Sequence, residues 1–306
     1  DELSLDLMLG AYFQYALSYF IDKGEFWSVG LSAKQHQFDT AAQVVFNTAP
    51  FAFSNSTNTR VLVQKNTLFV QTLFREEVVL GVGLAHQHNV FKTNVFDTQT
   101  DRFLYADNAD YYSTLGSLKV DTRDDKFYPK KGAFFDGDIN YYFSKKSSLE
   151  DNNFTSFLIA KANMGATLPL DSKYTLMFST SGGFTVGDAA SSAFDYAFGG
   201  YGNAPVLNYQ TFIGLPQQYA VGNSFVKAET TVDYEFTPNH HLKMMLNAGI
   251  VSDDIFKTGQ WKSGIDYYSA GMAYGLETFA GPLELTAAYS PQFGRLLFHV
   301  NIGWQF

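Results

Sequence analysis

The chain ends Leu296-Leu297-Phe298-His299-Val300-Asn301-Ile302-Gly303-Trp304-Gln305-Phe306. In an extended strand this puts Leu296, Phe298, Val300, Ile302, Trp304 and Phe306 on one face. Leu297, His299, Asn301, Gly303 and Gln305 fall on the other. Successive side chains of a strand point to opposite faces, so the pattern describes one apolar face and one wet face. The same period runs through Val226–Phe236, where Val226, Ala228, Val232, Tyr234 and Phe236 alternate with Lys227, Glu229, Asp233 and Glu235. Leu242, Met244, Leu246, Ala248 and Ile250 alternate with Lys243, Met245, Asn247 and Gly249. Tyr268–Leu276, Leu283–Tyr289 and Phe135–Phe143 repeat it.

A half-buried soluble sheet gives the same local signal, so scale must decide. Strands of soluble sandwiches average about 5–6 residues. Here the alternation persists for roughly 10–12 residues, the length that crosses a bilayer at about 45° tilt. Aromatic residues flank these segments at Tyr141, Tyr142, Tyr267, Tyr268, Trp304 and Phe306, where membrane barrels carry their interfacial girdles. The polar faces carry Lys, Glu, Asp and His together, which a hydrated lumen accepts and a packed core does not.

Composition narrows the class further. Hydrophobic residues make up 46% of the 306 positions while mean hydropathy is only −0.12, as one-for-one dilution requires. There is no run of 18 or more apolar residues, which excludes a helical span and gives no sign of a signal peptide. With no cysteine there is no disulfide, thiolate metal site or cysteine nucleophile. A formal charge of −9 with Arg at only five positions excludes nucleic acid as a partner, since that needs clustered cations.

The fold expected is all-β: a 16-stranded antiparallel transmembrane β-barrel with a long Gly-rich loop at about 188–222. Residues 1–306 form a single outer-membrane barrel domain in this reading. Strands are placed at 7–20, 25–38, 41–53, 60–74, 76–91, 111–123, 132–143, 153–167, 173–187, 222–236, 240–251, 265–277, 281–290 and 294–306. One or two more flank 198–221, and even parity is usual for single-chain barrels.

Several residues invite a chemical reading. His86 and His88 share a strand face, as a metal pair could require, but no third ligand is identifiable and a lumen-facing polar pair is expected. His240 and His241 follow Pro238-Asn239 and read as turn residues. Asp121, Asp124, Asp125, Asp136 and Asp138 suggest either calcium or a charge network with Arg123, Lys126, Lys130 and Lys131; the network is expected. Lys145 and Lys146 read as a solvated or headgroup-facing loop end. Gly81-Val82-Gly83 and Ser181-Gly182-Gly183 open no helix, so no phosphate cradle forms. No catalytic residue, metal site or cofactor is expected.

Asp121-Thr122-Arg123-Asp124, followed by Tyr128-Pro129-Lys130-Lys131-Gly132, resembles the mid-barrel hairpin of the bacterial surface antigen (Omp-eighty-five) superfamily. This superfamily contains BamA, the two-partner-secretion transporters and the barrels fused to patatin-like phospholipases. Tyr196-Ala197-Phe198-Gly199-Gly200 resembles the segment leading into its long sixth extracellular loop, and Gly281-Pro282-Leu283 its final hairpin. With strand count, the resemblance covers about 60–306. Phe198-Gly199-Gly200-Tyr201-Gly202 with Phe212-Ile213-Gly214-Leu215-Pro216 is most similar to the patatin-fused barrels.

Two departures follow from that resemblance. Related barrels fold the loop into the lumen through an Arg paired with an Asp on a later strand; here Ile213 and Asn247 stand at those places, with Gly249 following on the contact strand. Losing one partner would strand a charge, whereas losing both is coherent. The expectation is that packing of Phe212 and Leu215 holds the loop. Nothing in the chain resembles a periplasmic POTRA module, and no Gly-x-Ser-x-Gly elbow occurs. The chain therefore reads as the C-terminal barrel of a longer polypeptide rather than a processed free-standing barrel.

Three functions remain open. The barrel could anchor or translocate a fused passenger, by resemblance a patatin-like phospholipase. It could be a free-standing insertion or translocation barrel using a first-to-last strand seam, with Gly10 and Gly303 as candidate weak points. It could be a diffusion porin. The resemblance implies residence in a Gram-negative outer membrane. It implies as partners membrane lipid and lipopolysaccharide, the barrel assembly machinery, and a covalent or associated passenger domain, with a homodimer left open. Phe306 resembles a terminal assembly signal.

Overall fold

In the computed structural model the described residues are all but 1, 9–11, 22–26, 49, 50, 75, 76, 98–101, 126, 149–153, 190–193, 202–207, 280 and 304–306. Fourteen strands make one continuous antiparallel sheet. Its first half comprises β1 (Glu2–Met8), β2 (Tyr12–Ile21), β3 (Ser28–Thr48), β4 (Phe51–Phe74), β5 (Val78–Asp97), β6 (Arg102–Asp121) and β7 (Gly132–Ser147). Its second half comprises β8 (Phe157–Pro169), β9 (Tyr174–Val186), β13 (Ser224–Thr237), β14 (His240–Ser252), β15 (Tyr267–Thr278), β16 (Gly281–Tyr289) and β17 (Leu296–Ile302). Every neighbour in the sheet is the next wall strand along the chain, the topology of an up-and-down barrel.

The sheet is apolar on its outer surface. On β17, Phe298 is 73% exposed and Ile302 65%, while His299 and Asn301 on the opposite face are partly covered. Met244, Leu246, Met272, Leu285, Ile139 and Leu84 are likewise exposed, whereas Asn247, Ser269, Glu284 and Thr286 are buried. This inversion of the soluble pattern is stable where the outside is hydrocarbon. Two aromatic belts bound the band. At the short-turn end Tyr174 stacks on Tyr234 at 4.5 Å, and Phe236 lies 6.5 Å from Tyr274. At the long-loop end Tyr112, Tyr141, Phe184, Tyr268 and Tyr289 are exposed.

The strands expected around 198–221 do not enter the wall. They form a separate three-stranded sheet of β10 (Tyr196–Phe198), β11 (Tyr209–Gln210) and β12 (Ala220–Gly222), so among the described residues fourteen strands lie in the wall and three in the lumen. Elsewhere the boundaries shift. The expected 7–20 is two strands, β1 and β2, and the expected 25–38 and 41–53 give way to β3, running unbroken to Thr48, and β4, starting at Phe51. Phe38-Asp39-Thr40 carries no Gly or Pro that could interrupt pairing. His240 and His241 begin β14 rather than forming the turn, because Asn239, at φ 67°, reverses the chain on its own. Gly10 and Phe306 lie outside the described residues.

Candidate functional site

The lumen is occupied by the chain itself, from both ends. At the long-loop end residues 194–201 and 208–222 fold inward. Phe194, Tyr196, Phe198, Phe212 and Leu215 form one buried cluster with Tyr111, Tyr142, Phe157, Phe225 and Val251 from the wall. Phe198 stacks on Phe212 at 5.1 Å, and Phe194 meets Tyr111 edge-on at 4.9 Å. Tyr196 Oη donates to the Ala160 carbonyl at 2.8 Å, satisfying the polar end of a fully buried ring. The two arms of the segment are tied by Gly200 N–H to the Leu215 carbonyl (2.9 Å) and Phe212 N–H to the Gly200 carbonyl (3.2 Å). Gly199, at φ 136°, lies so close to the Pro216 carbonyl that no Cβ could be accommodated.

Ile213 lies on the wall-facing side of the loop. It is 4% exposed, packed against Met245, Ala273 and Ala288. The Asn247 amide lies beside it. Oriented to satisfy both groups, its nitrogen donates to the Leu246 carbonyl at 3.0 Å and its oxygen accepts from Ile213 N–H at 3.2 Å. Gly249 leaves room for the ring of Phe198: a Cβ there would lie 2.9 Å from Phe198 Cε2. Phe212 and Leu215 are both fully buried. One contact has no counterpart in the sequence reading. Lys227 on β13 donates from Nζ to the Thr211 carbonyl at 2.6 Å and pairs with Glu229. Its inward parity was legible; its reach to a loop carbonyl was not. Gly303, at the end of β17, donates its N–H to the Pro282 carbonyl at 2.8 Å.

At the short-turn end the connection between β6 and β7 behaves as a strut. Asp121 holds Arg123 through two hydrogen bonds of 2.9 and 2.7 Å, and the guanidinium lies 4.5 Å over the Phe134 ring. Asp124 Oδ1 accepts from the N–H groups of Lys130 and Lys131, and Asp125 Oδ1 from those of Phe127 and Tyr128 at 2.7 Å. Burial alone would raise the Asp124 carboxyl, but these N–H groups hold it below its ordinary range. The hydrogen bond to Asp121 raises Arg123, and that to Glu235 raises Lys130. Pro129 follows Tyr128 at the tip, and Gly132 returns the chain to β7 at φ 113°.

The strut delivers Tyr128 to the opposite wall. Its ring is 5% exposed, stacked at 3.9 Å on His241, with Lys243 Nζ 4.4 Å from its centroid. Lys130 Nζ reaches Glu235 Oε2 at 2.8 Å, bridging residues 105 apart in sequence. Below the ring His241 bonds Asp233 and Glu277, each at 2.9 Å, and Lys243 bonds Glu284 at 2.6 Å. Of the five aspartates, Asp121 pairs with Arg123, Asp136 with Lys119 and Asp138 with Lys161, whereas Asp124 and Asp125 accept backbone N–H groups of the strut and Lys130 reaches Glu235 instead.

His86 and His88 face outward, not into the lumen. They share the face of Leu80, Val82 and Leu84, and both ring nitrogens lie within 3.0 Å of Asp110 Oδ1. Among the described residues no cluster of three or more His, Asp or Glu side chains could hold a metal ion.

A sequence profile of the OMP85 superfamily matches residues 1–306. No curated protein sequence matches the chain. Among solved structures it is similar to BamA from Haemophilus ducreyi lacking POTRA domains 1–3, with a TM-score of 0.62 at 15% identity over 92% of this chain and 59% of that one. CdiB from Escherichia coli gives a TM-score of 0.62 at 13% identity, covering 94% of this chain and 52% of CdiB. CdiB from Acinetobacter baumannii gives 0.57 at 11%, covering 91% and 46%. The chain therefore spans about half to three-fifths of the length of these structures.

Proposed function

Because the chain belongs to the OMP85 superfamily, we propose that it is an outer-membrane barrel that anchors or exports a passenger polypeptide through a lumen closed by its own residues. The observation that carries this is the double occlusion. Residues 194–201 and 208–222 pack into the lumen from the long-loop end, and Tyr128 is clamped across it at the short-turn end. A diffusion porin keeps an open aqueous channel, which neither segment would permit. In barrels of this type the short turns face the periplasm, so the strut guards the side from which a passenger would enter.

The chain is, in this proposal, the C-terminal domain of a longer polypeptide, and the passenger is a patatin-like phospholipase. That reading rests on the resemblance of Phe198–Gly200 and Phe212–Pro216 to the barrels of such fusions. A free-standing insertion barrel is the second reading, in which the seam between the first and last strands would open.

Planar-bilayer conductance tests the occlusion: small, flickering events are expected, and large steady openings would overturn it in favour of a porin. The intact mass of the protein from its native membrane tests the fusion. A mass well above 34.2 kDa is expected, and one near that value would bring the insertion reading forward.

A further inference from the structure

We infer that the lumenal cavity left between the folded-in loop and the β2–β8 wall is a binding site for a small ligand bearing oxyanions, phosphate or carboxylate. The cavity measures about 650 Å³, within the range of small-molecule sites. Lys34, Lys65, Lys119 and Lys161 line it, against only Asp136 and Asp138. This concentration of ammonium groups occurs in a chain whose acidic residues outnumber its basic ones 30 to 21.

The arrangement around Lys65 is the centre of the argument. Lys119 pairs with Asp136 at 3.6 Å and Lys161 with Asp138 at 3.4 Å. The contact of Lys65, among the described residues, is a neutral one: Nζ donates to Asn140 Oδ1 at 3.0 Å, and the Asn140 amide turns its own donor to Asp138 at 3.1 Å. Lys34 stands directly opposite Lys65 in the β3–β4 register. Directly opposed side chains on one face of a strand pair lie about 4.5–5.5 Å apart at Cβ, where like charges repel. Lys161 repels Lys65 as well, and Asp138 is the carboxylate that attracts it.

A buried cation loses its hydration and needs an answering charge close by. Asp138 answers both Lys161 and Lys65, so two ammoniums share one carboxylate. An oxyanion seated between Lys65 and Lys161 completes the balance, with Ser32 and Asn163 on the same lining to hydrogen-bond its remaining oxygens. Lysine suits this role because its ammonium is a mobile point charge that adapts to either oxyanion. The inference rests on the cavity and its charges alone, so it stands or falls independently of any passenger.

Thermal unfolding of the barrel in neutral detergent micelles tests it, with sodium tripolyphosphate, citrate or chloride at matched ionic strength. Tripolyphosphate is expected to raise the Tm saturably. The substitution Lys65→Met should weaken the apparent affinity at least tenfold, and Lys257→Met, in the exposed loop after β14, should leave it unchanged. An equal effect of citrate would assign the site to oxyanions in general, and an effect of tripolyphosphate alone to phosphates. Lys161→Gln provides a second variant with the same expected loss should Lys65→Met fail to fold. The absence of any saturable shift, or an undiminished shift in the lysine variants, would overturn the assignment.

Discussion

Ile213 and Asn247 meet through a neutral contact, and placing opposite charges at the two positions tests whether they share one seat. Ile213 is 4% exposed, with Cδ1 pressed to within 2.9 Å of where a Cβ on Gly271 would lie. Ile213→Arg alone puts a guanidinium into this seat with no carboxylate to meet it, an uncompensated buried charge costing about 3–5 kcal/mol. Asn247→Asp alone leaves the Ile213 N–H donor in place but strands a carboxylate, costing about 1–3 kcal/mol. In the double variant the two charges meet, and the loss should fall short of the sum of the single losses by about 2–3 kcal/mol. At 1.4 kcal/mol per tenfold that is about 30- to 100-fold in the equilibrium for loop docking. Hydrogen exchange at the Ile213 amide reports this equilibrium, because that N–H reaches residue 247 on the wall only when the loop is docked. Strictly additive losses would show that position 213 does not face position 247, and the account of how the loop is held would fail.

The strut makes a sharper distinction between shape and polarity. Tyr128 Oη is buried without a hydrogen-bond partner among the described residues, so Tyr128→Phe should leave conductance and stability unchanged. Tyr128→Ala, or Gly275→Val, whose Cβ would lie 2.5 Å from Tyr128 Oη, should both give larger single-channel steps, and unaltered steps in both would refute the closure. On the outer face, Ile302→Arg should cost roughly 2–4 kcal/mol near the bilayer midplane while Asn301→Arg costs little; equal urea midpoints would contradict the assigned faces. Asp195, in the loop, is pushed up to about 6 by burial and by Asp253, against about 3.9 when unfolded. The folded state then keeps a proton that the unfolded state gives up, so the associated stability is full below about pH 4 and declines as pH rises to 6. Asp195→Asn should therefore raise stability by about 1–3 kcal/mol at pH 7 and not at pH 4, and a gain independent of pH would exclude this cause. Phe306→Ala should lower outer-membrane yield in cells more than it lowers refolded stability; unchanged yield would count against a terminal assembly signal.

The wall was legible wherever one face meets hydrocarbon. Leu296–Ile302 and Leu242–Ile250 declare their parity residue by residue, and the structure places them accordingly. The errors have physical causes. His86 and His88 were read as lumenal because they are polar, yet they share the parity of Leu80, Val82 and Leu84. Polarity marks a face as wet only within the span of the bilayer, and β5 continues to Asp97. The strut was half legible. Its charged residues stand out in the sequence, but Asp124 and Asp125, expected in a charge network, cap nearby backbone N–H groups, and the seat of Tyr128 on His241, Lys243 and Gly275 depends on strands more than a hundred residues away. Period-2 reasoning tells which way a residue faces, not what crosses the lumen to meet it.

The glycines of the wall explain how both closures fit. Glycine weakens a strand interior because it packs nothing, so its repeated presence on inward positions calls for a reason. A Cβ at Gly183 would lie 2.6 Å from Tyr196 Cζ, at Gly249 2.9 Å from Phe198 Cε2, and at Gly271 2.9 Å from Ile213 Cδ1. The Gly275 position answers Tyr128 in the same way. Each is an absent side chain whose space a plugging residue fills, so β-propensity lost in the wall is exchanged for aromatic and aliphatic burial in the lumen. Gly271 and Gly275 lie on the same face of one strand, β15, four residues apart. The loop from one mouth and the strut from the other thus both touch β15, whose outward face is Met272 and Tyr268 in the apolar band. A shift of β15 within the wall would disturb the Ile213 and Tyr128 contacts together, while Gly183 on β9 and Gly249 on β14 would still seat the loop.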